Sequence, residues 1–277
     1  MNITAEIARN VDAALAEDVG GGDWTARLVP EATQARATII AREACTLAGR
    51  PWFEAVFRRL DAGVAITWHF DDGASVPQGA VIATLEGPAR ALLTGERAAL
   101  NFLQTLSAVA TATRRYVEAA RGTRAKIVDT RKTLPGLRVA QKYAVRMGGG
   151  TNHRMGLHDA MLIKENHIAA AGGVRQVLAA ARAVAPAGIW TQIEVETLAQ
   201  LEEALAEGAT MVLLDNMDLE TMRRAVAITA GRAELEASGG VTFDTVRAIA
   251  ETGVDRISIG ALTKDVQAVD LSMRMKD

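Results

Sequence analysis

The chain has 277 residues, of which 49% are hydrophobic and 23% charged, and its formal net charge is −2. This composition is typical of a globular protein large enough to bury one core or two. No stretch reaches the roughly 18 apolar residues that a membrane span needs. The first residues also lack the basic-then-apolar order of a signal peptide, so we expect a cytoplasmic protein without a membrane partner. The single cysteine, Cys45, excludes an internal disulfide and a cysteine-based metal cluster.

Positive charge is concentrated in one window of the chain. Residues 121–167 contain ten lysines and arginines against three acidic residues, a net charge of +7 that leaves −9 for the remainder. Such a window in an acidic protein indicates an anionic partner. Nucleic acid is one candidate, but Tyr143 is the window's only aromatic residue, so a base-stacking platform is missing. A small, highly charged anion fits better.

The first hundred or so residues predict an α/β domain. Apolar residues at helical spacing predict an amphipathic helix over residues 3–17. Residues 72–87 are similar to the hairpins of biotinyl and lipoyl carrier domains, but they contain no lysine to carry a cofactor, so we interpret them as architecture. Residues 90–120 predict a long helix, with at most one break. Strand patterns precede this helix at residues 35–41, 64–70 and 80–85.

From residue 125 onwards, strand patterns alternate with helices. The helix predicted over residues 198–207 begins with a capping box from Thr197 to Gln200 and ends at Gly208. Six parallel strands with alternating helices form either an open doubly wound sheet or a curved, barrel-like one. The strand patterns cover residues 125–130, 160–164, 191–196, 211–215, 234–238 and 256–260.

Chemically active residues follow the carboxyl ends of these strands. In βα-barrel enzymes the active site occupies that face, and the last two strand ends commonly bind phosphate through backbone amides. Here those two ends read "ASGG" (237–240) and "SIGAL" (258–262), which predicts two phosphate loops. The strand-end residues are Asp129, Lys164, Glu194, Glu196, Asp215, Ser238, Gly239, Gly240 and Gly260.

Two glutamates and an aspartate form a predicted carboxylate cluster. Pleating sends Glu194 and Glu196 to the face opposite Ile193, so we expect both to point to the centre, with Asp215 at the end of the next strand. Buried carboxylates need cations, which the basic window or a divalent metal supplies. Oxygen ligands such as Glu194 and Asp215 suit Mg²⁺. A purely structural ion-pair network is the alternative.

Three of the four histidines lie in "TNHRMGLHDAMLIKENH" (151–167). His153, His158 and His167 are not spaced as a helical zinc motif, so zinc fits this segment less well than an anion. The preceding "MGGG" predicts a flexible approach that brings backbone amides and Arg154 close to a ligand.

The most specific segment is "DTRKTLPGLRVAQKYAVRMGGGTNHRMGLHDAMLIKENH" (129–167). Together with "ERAALNFLQTLS" (96–107), "IEVE" (193–196), "LLDN" (213–216), "ASGG" and "ISIGALT" (257–263), it strongly resembles the quinolinate phosphoribosyltransferases, from end to end and in order. The resemblance implies an N-terminal α/β sandwich over residues 1–110, joined by the tail 265–277, and an incomplete six-stranded α/β barrel over 111–264. It also implies a homodimer with shared active sites.

The implied reaction joins quinolinate to 5-phosphoribosyl 1-diphosphate with Mg²⁺, giving nicotinate mononucleotide, diphosphate and carbon dioxide in NAD biosynthesis. By resemblance, Arg131, His153, Arg154 and Lys164 bind quinolinate, and Arg97 does so across the dimer interface. Lys132, Glu194 and Asp215 are implied to surround the diphosphate substrate and its metal, as catalytic residues. The 5′-phosphate is assigned to Ser238, Gly239, Gly240, Gly260 and Lys264, although a histidine is expected where Lys264 stands.

The residues support this chemistry independently. Planar guanidinium groups such as those of Arg131 and Arg154 can bind a dicarboxylate bidentately. A carboxylate can stabilise the oxocarbenium character that develops at the ribose carbon. Two alternatives stay open: a sister phosphoribosyltransferase that acts on another base, and a non-catalytic protein that binds anions or stores metal.

Overall fold

The computed structural model describes residues 3–276, which divide into two compact units. The second unit comprises residues 115–132 and 150–261, and the first contains the other described residues. Thr133–Gly149, which the sequence-based division assigns to the barrel domain, therefore belongs to the first unit. Met1, Asn2 and Asp277, which the predicted domains include, lie outside the described residues.

A four-stranded antiparallel sheet organises the first unit, in the order β12-β1-β5-β3. The C-terminal strand β12 thus forms the edge beside β1. The short β4 pairs with β2 and not with β5, so residues 72–87 do not form the carrier-type hairpin that they resemble. The strands are β1 (Gln34–Ala41), β2 (Cys45–Thr46), β3 (Ala65–Trp68), β4 (Ser75–Val76), β5 (Val81–Pro88) and β12 (Leu271–Lys276).

Helices α1 (Ile3–Val19), α2 (Arg50–Leu60) and α4 (Arg138–Met147) lie in the first unit. The long helix α3 (Ala89–Ala119) is unbroken and passes into the second unit. The core of the first unit is apolar and aromatic, because α2 buries one face of large side chains there. Segment 133–149 joins this unit through the carbonyl of Gly136, which accepts hydrogen bonds from side chains of α1.

The second unit is built on a six-stranded parallel sheet in the order β6-β11-β10-β9-β8-β7. From β7 to β11, strands that follow in sequence are neighbours, whereas a doubly wound sheet reverses direction at a switch point. Among the described residues, β6 and β7 do not pair, so the barrel stays open there. The predicted incomplete barrel is confirmed. Its strands are β6 (Lys126–Val128), β7 (Ala160–Ile163), β8 (Trp190–Val195), β9 (Met211–Asp215), β10 (Glu234–Ser238) and β11 (Arg256–Ser258).

The predicted cap of helix α7 is present in a modified form. The Thr197 side chain accepts a hydrogen bond from the Gln200 amide at 3.2 Å, and Gly208 follows the helix with a φ of 76°. The Gln200 side chain, however, accepts from the amide of Glu196 at 2.8 Å. None of the helices within residues 3–276 combines the length and hydropathy of a membrane span. The remaining helices are α5 (Glu165–Ala171), α6 (Val174–Val184), α7 (Leu198–Ala206), α8 (Leu219–Thr229), α9 (Phe243–Ala250) and α10 (Ala261–Lys264).

Candidate active site

Strand register gathers predicted site residues at the carboxyl edge of the six-stranded sheet. Lys164 and Glu194 follow directly after a register pair of β7 and β8, and Nζ of Lys164 lies 3.0 Å from Oε2 of Glu194. On the next pair of strands, Asp215 is in register with Ser238. The parallel arrangement therefore places these four residues on one edge, as the strand-end positions predict.

Two carboxylates at this edge lie close enough to repel each other. Burial raises the pKa of Glu194, the hydrogen bond and charge of Lys164 lower it, and the negative charge of Asp215 raises it further. Such a pair is stabilised by a cation. Glu196, which the sequence also predicts to point to the centre, follows the end of β8 at Val195 and is exposed.

Asn216 connects the end of β9 to the predicted phosphate loop. Its side-chain amide donates to Oδ2 of Asp215 at 2.8 Å, and its backbone amide donates to the carbonyl of Ser238 at 2.9 Å. Its φ of 52° is left-handed, a conformation that asparagine tolerates better than most residues. A Cβ atom on Gly239 would lie 2.1 Å from Oδ1 of Asn216, so only glycine fits this approach.

The second predicted phosphate loop, after β11, lies against Lys132. A Cβ atom on Gly260 would lie 3.0 Å from Cδ and 3.8 Å from Nζ of Lys132. The backbone amide of Lys132 donates to the Thr130 side chain at 3.0 Å, which fixes the turn after β6. A lysine and a small-residue loop therefore meet where the sequence predicts phosphate binding.

Arg154 and Arg131 bring two positive charges together. The Arg154 guanidinium is buried; burial and then the charge of Arg131 lower its pKa, and the charge of Asp159 partly opposes them. Nη1 donates to the carbonyl of Ala160 at 3.2 Å, but Nε makes no hydrogen bond within residues 3–276. A buried guanidinium beside a like charge is unfavourable unless an anion compensates it. This pair is a candidate anion site.

Backbone amides of the segment 147–154 were expected to approach a ligand, but those of Gly148, Gly149 and Thr151 donate to main-chain carbonyls of the protein. The amide of His153 donates to Asp129 at 2.8 Å, and the amide of Arg154 donates to Nδ1 of His153 at 2.8 Å. The next two amides, of Met155 and Gly156, donate to Asp159 at 2.7 and 2.8 Å. Short polar side chains therefore hold the segment rigidly, which leaves side chains to bind an anion.

His153 and His167 both serve the protein's own structure. Nδ1 of His167 accepts from the amide of Lys164 at 2.9 Å, which stabilises the start of α5. The buried His153 contacts Gln192, which is itself hydrogen-bonded to Glu236. Sequence reasoning did not assign a role to Gln192 or Glu236. The only available signal was the placement of polar residues within otherwise apolar strands.

Arg97 and Lys264 belong to the first unit, and both are exposed. Lys264 pairs with the neighbouring Asp265 at 2.8 Å. The basic window is also less uniform than its net charge suggests. Lys142 is buried in α4 of the first unit, and Arg124 pairs with Asp255 before the amino ends of β6 and β11.

Comparisons with known proteins agree with this architecture. Residues 23–107 match the N-terminal domain of quinolinate phosphoribosyl transferase, and residues 109–274 match its C-terminal domain. A probable nicotinate-nucleotide pyrophosphorylase [carboxylating] of Bacillus subtilis is 44% identical over 93% of this chain and 89% of its own length. The corresponding Mycobacterium leprae protein is 43% identical over 94% of both chains.

Solved structures give the same result. The nicotinate-nucleotide pyrophosphorylase of Francisella tularensis is 44% identical and superimposes with a TM-score of 0.96, covering 99% of this chain and 97% of that one. At this identity and coverage, sequence and fold agree over both units. The chain belongs to the quinolinate phosphoribosyl transferase family.

Proposed function

We propose that this chain transfers the phosphoribosyl group of 5-phosphoribosyl 1-diphosphate to quinolinate, with decarboxylation, as a step of NAD biosynthesis. The relatives carry the names of enzymes of this reaction. Two guanidinium groups carry the proposal: buried Arg154 and nearby Arg131 lie in the same unit as the carboxylates Glu194 and Asp215. The guanidinium groups suit quinolinate, which is a dianion, and the carboxylates suit the positive charge that develops on the ribose.

Quinolinate is assigned to the positive part of the site. Its two adjacent carboxylates are to be held by the guanidinium groups of Arg131 and Arg154 and by Lys164, since planar forks match carboxylates. His153 belongs to this set because it holds the amide of Arg154. Arg97 of a second copy is proposed to complete the set.

The diphosphate substrate is assigned to the neighbouring strand ends. Ser238, Gly239 and Gly240 supply a loop with two left-handed glycines, and Gly260 supplies a loop that lies against Lys132. Such loops admit a phosphate close to the backbone. Lys264, exposed on α10, is proposed as a further phosphate contact, in the place where the family resemblance led us to expect histidine.

Mg²⁺ fits the carboxylates that the chain offers. Glu194 and Asp215 are hard oxygen donors whose mutual repulsion a divalent cation would relieve. Within the described residues, no group of three or more His, Cys, Asp or Glu side chains could hold a metal alone. Mg²⁺ accepts so few protein ligands because it keeps waters and uses substrate phosphates. Bound there, it would neutralise charge on the departing diphosphate.

The reaction then needs little from the protein beyond orientation and charge. The quinolinate nitrogen forms a bond to the anomeric carbon while the bond from that carbon to the diphosphate oxygen breaks. Glu194 and Asp215 stabilise the positive charge that develops on the ribose, and Lys132 stabilises the leaving diphosphate. In the resulting nucleotide, carbon dioxide departs from C2 and leaves its electron pair on that carbon, where the adjacent positive ring nitrogen stabilises the carbanion until C2 takes up a proton.

The proposal is tested by incubating the chain with quinolinate, 5-phosphoribosyl 1-diphosphate and Mg²⁺. Nicotinate mononucleotide, diphosphate and carbon dioxide are expected in equal amounts. Replacing quinolinate with nicotinate gives a control, because it lacks the second carboxylate that the arginine pair would bind. Equal turnover of both, or uptake of the diphosphate substrate without turnover, would contradict the proposal.

A homodimer with shared sites is also proposed, from the resemblance, and so is a location in the cytoplasm. Inactive Arg97→Ala and Lys132→Ala chains should regain activity when mixed, because one site of each mixed dimer would contain both intact residues. The mixed dimer should be isolated with two different affinity tags. Isolated mixed dimers without activity would contradict sharing.

A further inference from the structure

A chain of buried polar side chains crosses the interior of the six-stranded sheet below the candidate site. Nε2 of His153 lies 2.9 Å from Oε1 of Gln192, and Nε2 of Gln192 donates to Oε2 of Glu236 at 3.2 Å. Glu236 in turn forms an ion pair with Arg256, whose Nε lies 3.2 Å from the same oxygen. Gln192 and Glu236 are both completely buried. Polar groups in such a position need a reason, because burial without function destabilises the fold.

The carboxylate determines the direction of every hydrogen bond above it. Glu236 can only accept while it is ionised beside Arg256, so the Gln192 amide must present its NH₂ group to Glu236 and its oxygen to His153. Nε2 of His153 must then carry a proton and donate it. The other side of the ring gives the same result. Nδ1 accepts a hydrogen bond from the backbone amide of Arg154 at 2.8 Å and therefore carries no proton.

We infer that Gln192 and Glu236 are positioning residues of this site, which fix His153 as the neutral imidazole protonated at Nε2 and thereby hold the Arg154 backbone in place. This role rests on the proposed function for its effect on catalysis, but the hydrogen-bond direction stands by itself. A protonated His153 would present Nδ1–H to the Arg154 amide, and two donors would face each other. The same clash follows from the tautomer protonated at Nδ1.

Glu236 would be a favourable neighbour of a protonated ring. Oε1 of Glu236 lies 3.8 Å from Nε2 of His153 and accepts no hydrogen bond among the described residues. That negative charge favours the imidazolium ion, whereas the Arg154 amide opposes it. Gln192 bridges the ring and the carboxylate through its hydrogen bonds to both, whereas the direct distance of 3.8 Å is too long for a hydrogen bond. Gln192→Glu would place a second carboxylate beside the ring.

The first test needs no variant. Histidine labelled with ¹⁵N in the intact protein gives a ring spectrum for each of four histidines, and His153→Asn identifies the signal of His153 by its loss. A neutral ring protonated at Nε2 at neutral pH supports the inference. A ring protonated at Nδ1, or at both nitrogens, overturns it.

Two variants then test the direction of the hydrogen bonds from His153 through Gln192 to Glu236. Glu236→Gln keeps the shape but can donate as well as accept, so only the Arg154 amide still favours the Nε2 tautomer of His153, and a minor population protonated at Nδ1 should appear. Gln192→Glu should convert it to the imidazolium ion. Ile193→Val is the matched control, because Ile193 is equally buried beside Gln192 but on the opposite face of β8. An unchanged His153 spectrum in both Glu236→Gln and Gln192→Glu, or the same change in the control, contradicts the inference.

Kinetics separate this role from general destabilisation. Glu236→Gln and Gln192→Glu should both raise KM for quinolinate about tenfold and leave KM for the diphosphate substrate within a factor of about two, because only Arg154 is displaced. Equal changes in both constants would contradict a positioning role. If wild type has no activity at all, the proposed function fails while the ¹⁵N result still decides the tautomer.

Discussion

The two edges of the six-stranded sheet carry charge in different ways. At the amino edge, opposite charges pair: Arg124 with Asp255, whose other oxygen also accepts from the Leu235 amide at 2.8 Å. At the carboxyl edge, Lys164 also pairs with Glu194, but like charges are neighbours as well: Arg154 with Arg131, and Glu194 with Asp215. The first arrangement is satisfied by the protein alone, whereas the second is improved by ligands of opposite charge. Unfavourable charge placement therefore distinguishes the working edge from the structural one.

Among the substitutions that test this contrast, Glu194→Gln should have the largest effect, on kcat/KM. It removes a negative charge from the proposed transition state, so we expect kcat/KM to fall by about 10²–10³-fold. The same change should stabilise the fold. Burial raises the pKa of Glu194 above its unfolded value, so its contribution to stability falls as pH rises through the unfolded pKa towards the folded one.

The thermal midpoint of Glu194→Gln should therefore exceed that of wild type at neutral pH. This gain should shrink as pH falls below the ordinary pKa of glutamate, where both states are protonated. Glu196→Gln is the matched control: this exposed residue lies two positions further along, and both effects should be small. A midpoint below that of wild type at neutral pH would contradict the charge assignment.

Gly239→Ala should give the next largest effect, on stability. The new Cβ atom would clash with Asn216, at 2.1 Å from its Oδ1 and 3.0 Å from its backbone nitrogen, and the φ of 97° is strained for alanine. We expect a loss of about 3 kcal/mol in the free energy of unfolding, measured in urea. Gly240 also has a positive φ, which is strained for alanine, but an added Cβ atom would meet no atom within 4 Å. Gly240→Ala should therefore lose only about 1 kcal/mol in the free energy of unfolding. Equal losses would show that the Asn216 contact is unimportant.

Arg131→Ala should weaken quinolinate binding by about 2 kcal/mol, or roughly 30-fold, because one charge-assisted contact is lost. KM for quinolinate should rise, and KM for the diphosphate substrate should stay near that of wild type. Arg131→Lys should recover only part of the loss, since an ammonium group cannot bind a carboxylate bidentately. An unchanged KM for quinolinate would exclude Arg131 from the site.

Strand ends of the second unit were predictable because parallel strands place successive apolar runs and their terminal polar residues in register. Met211–Asp215 and Glu234–Ser238 have the bounds that the sequence predicts. Helix α2 was not predicted, although Trp52, Phe53 and Val56 have helical spacing after Pro51. The two-residue strands β2 and β4 are too short to show any periodicity.

The hydrogen bond between Gln192 and Glu236 could not be predicted from the sequence, for a geometric reason. Gln192 lies on β8 and Glu236 on β10, with β9 between them. Strands two apart in a flat sheet are separated by about 9 to 10 Å, so their side chains meet only where the sheet curves. The alternation of apolar and polar residues indicates which face of the sheet a residue occupies, but not how strongly the sheet curves around that face. The acceptor of the His153 amide could not be predicted for a similar reason, because Asp129 lies 24 residues earlier in the chain and becomes a neighbour only after folding.

Arg124→Ala should have the smallest effect and provides the sharpest test of the contrast between the edges. It removes the same charge from the same basic window as Arg131→Ala, but from the amino edge. Because the Arg124 side chain is 64% exposed, its pair with Asp255 should contribute less than about 1 kcal/mol to the free energy of unfolding. The loss should shrink further at high salt. Both KM values and kcat should match wild type. A rise in KM for quinolinate comparable to that of Arg131→Ala would show that the net charge of the window, and not the arrangement at the carboxyl edge, attracts the substrate.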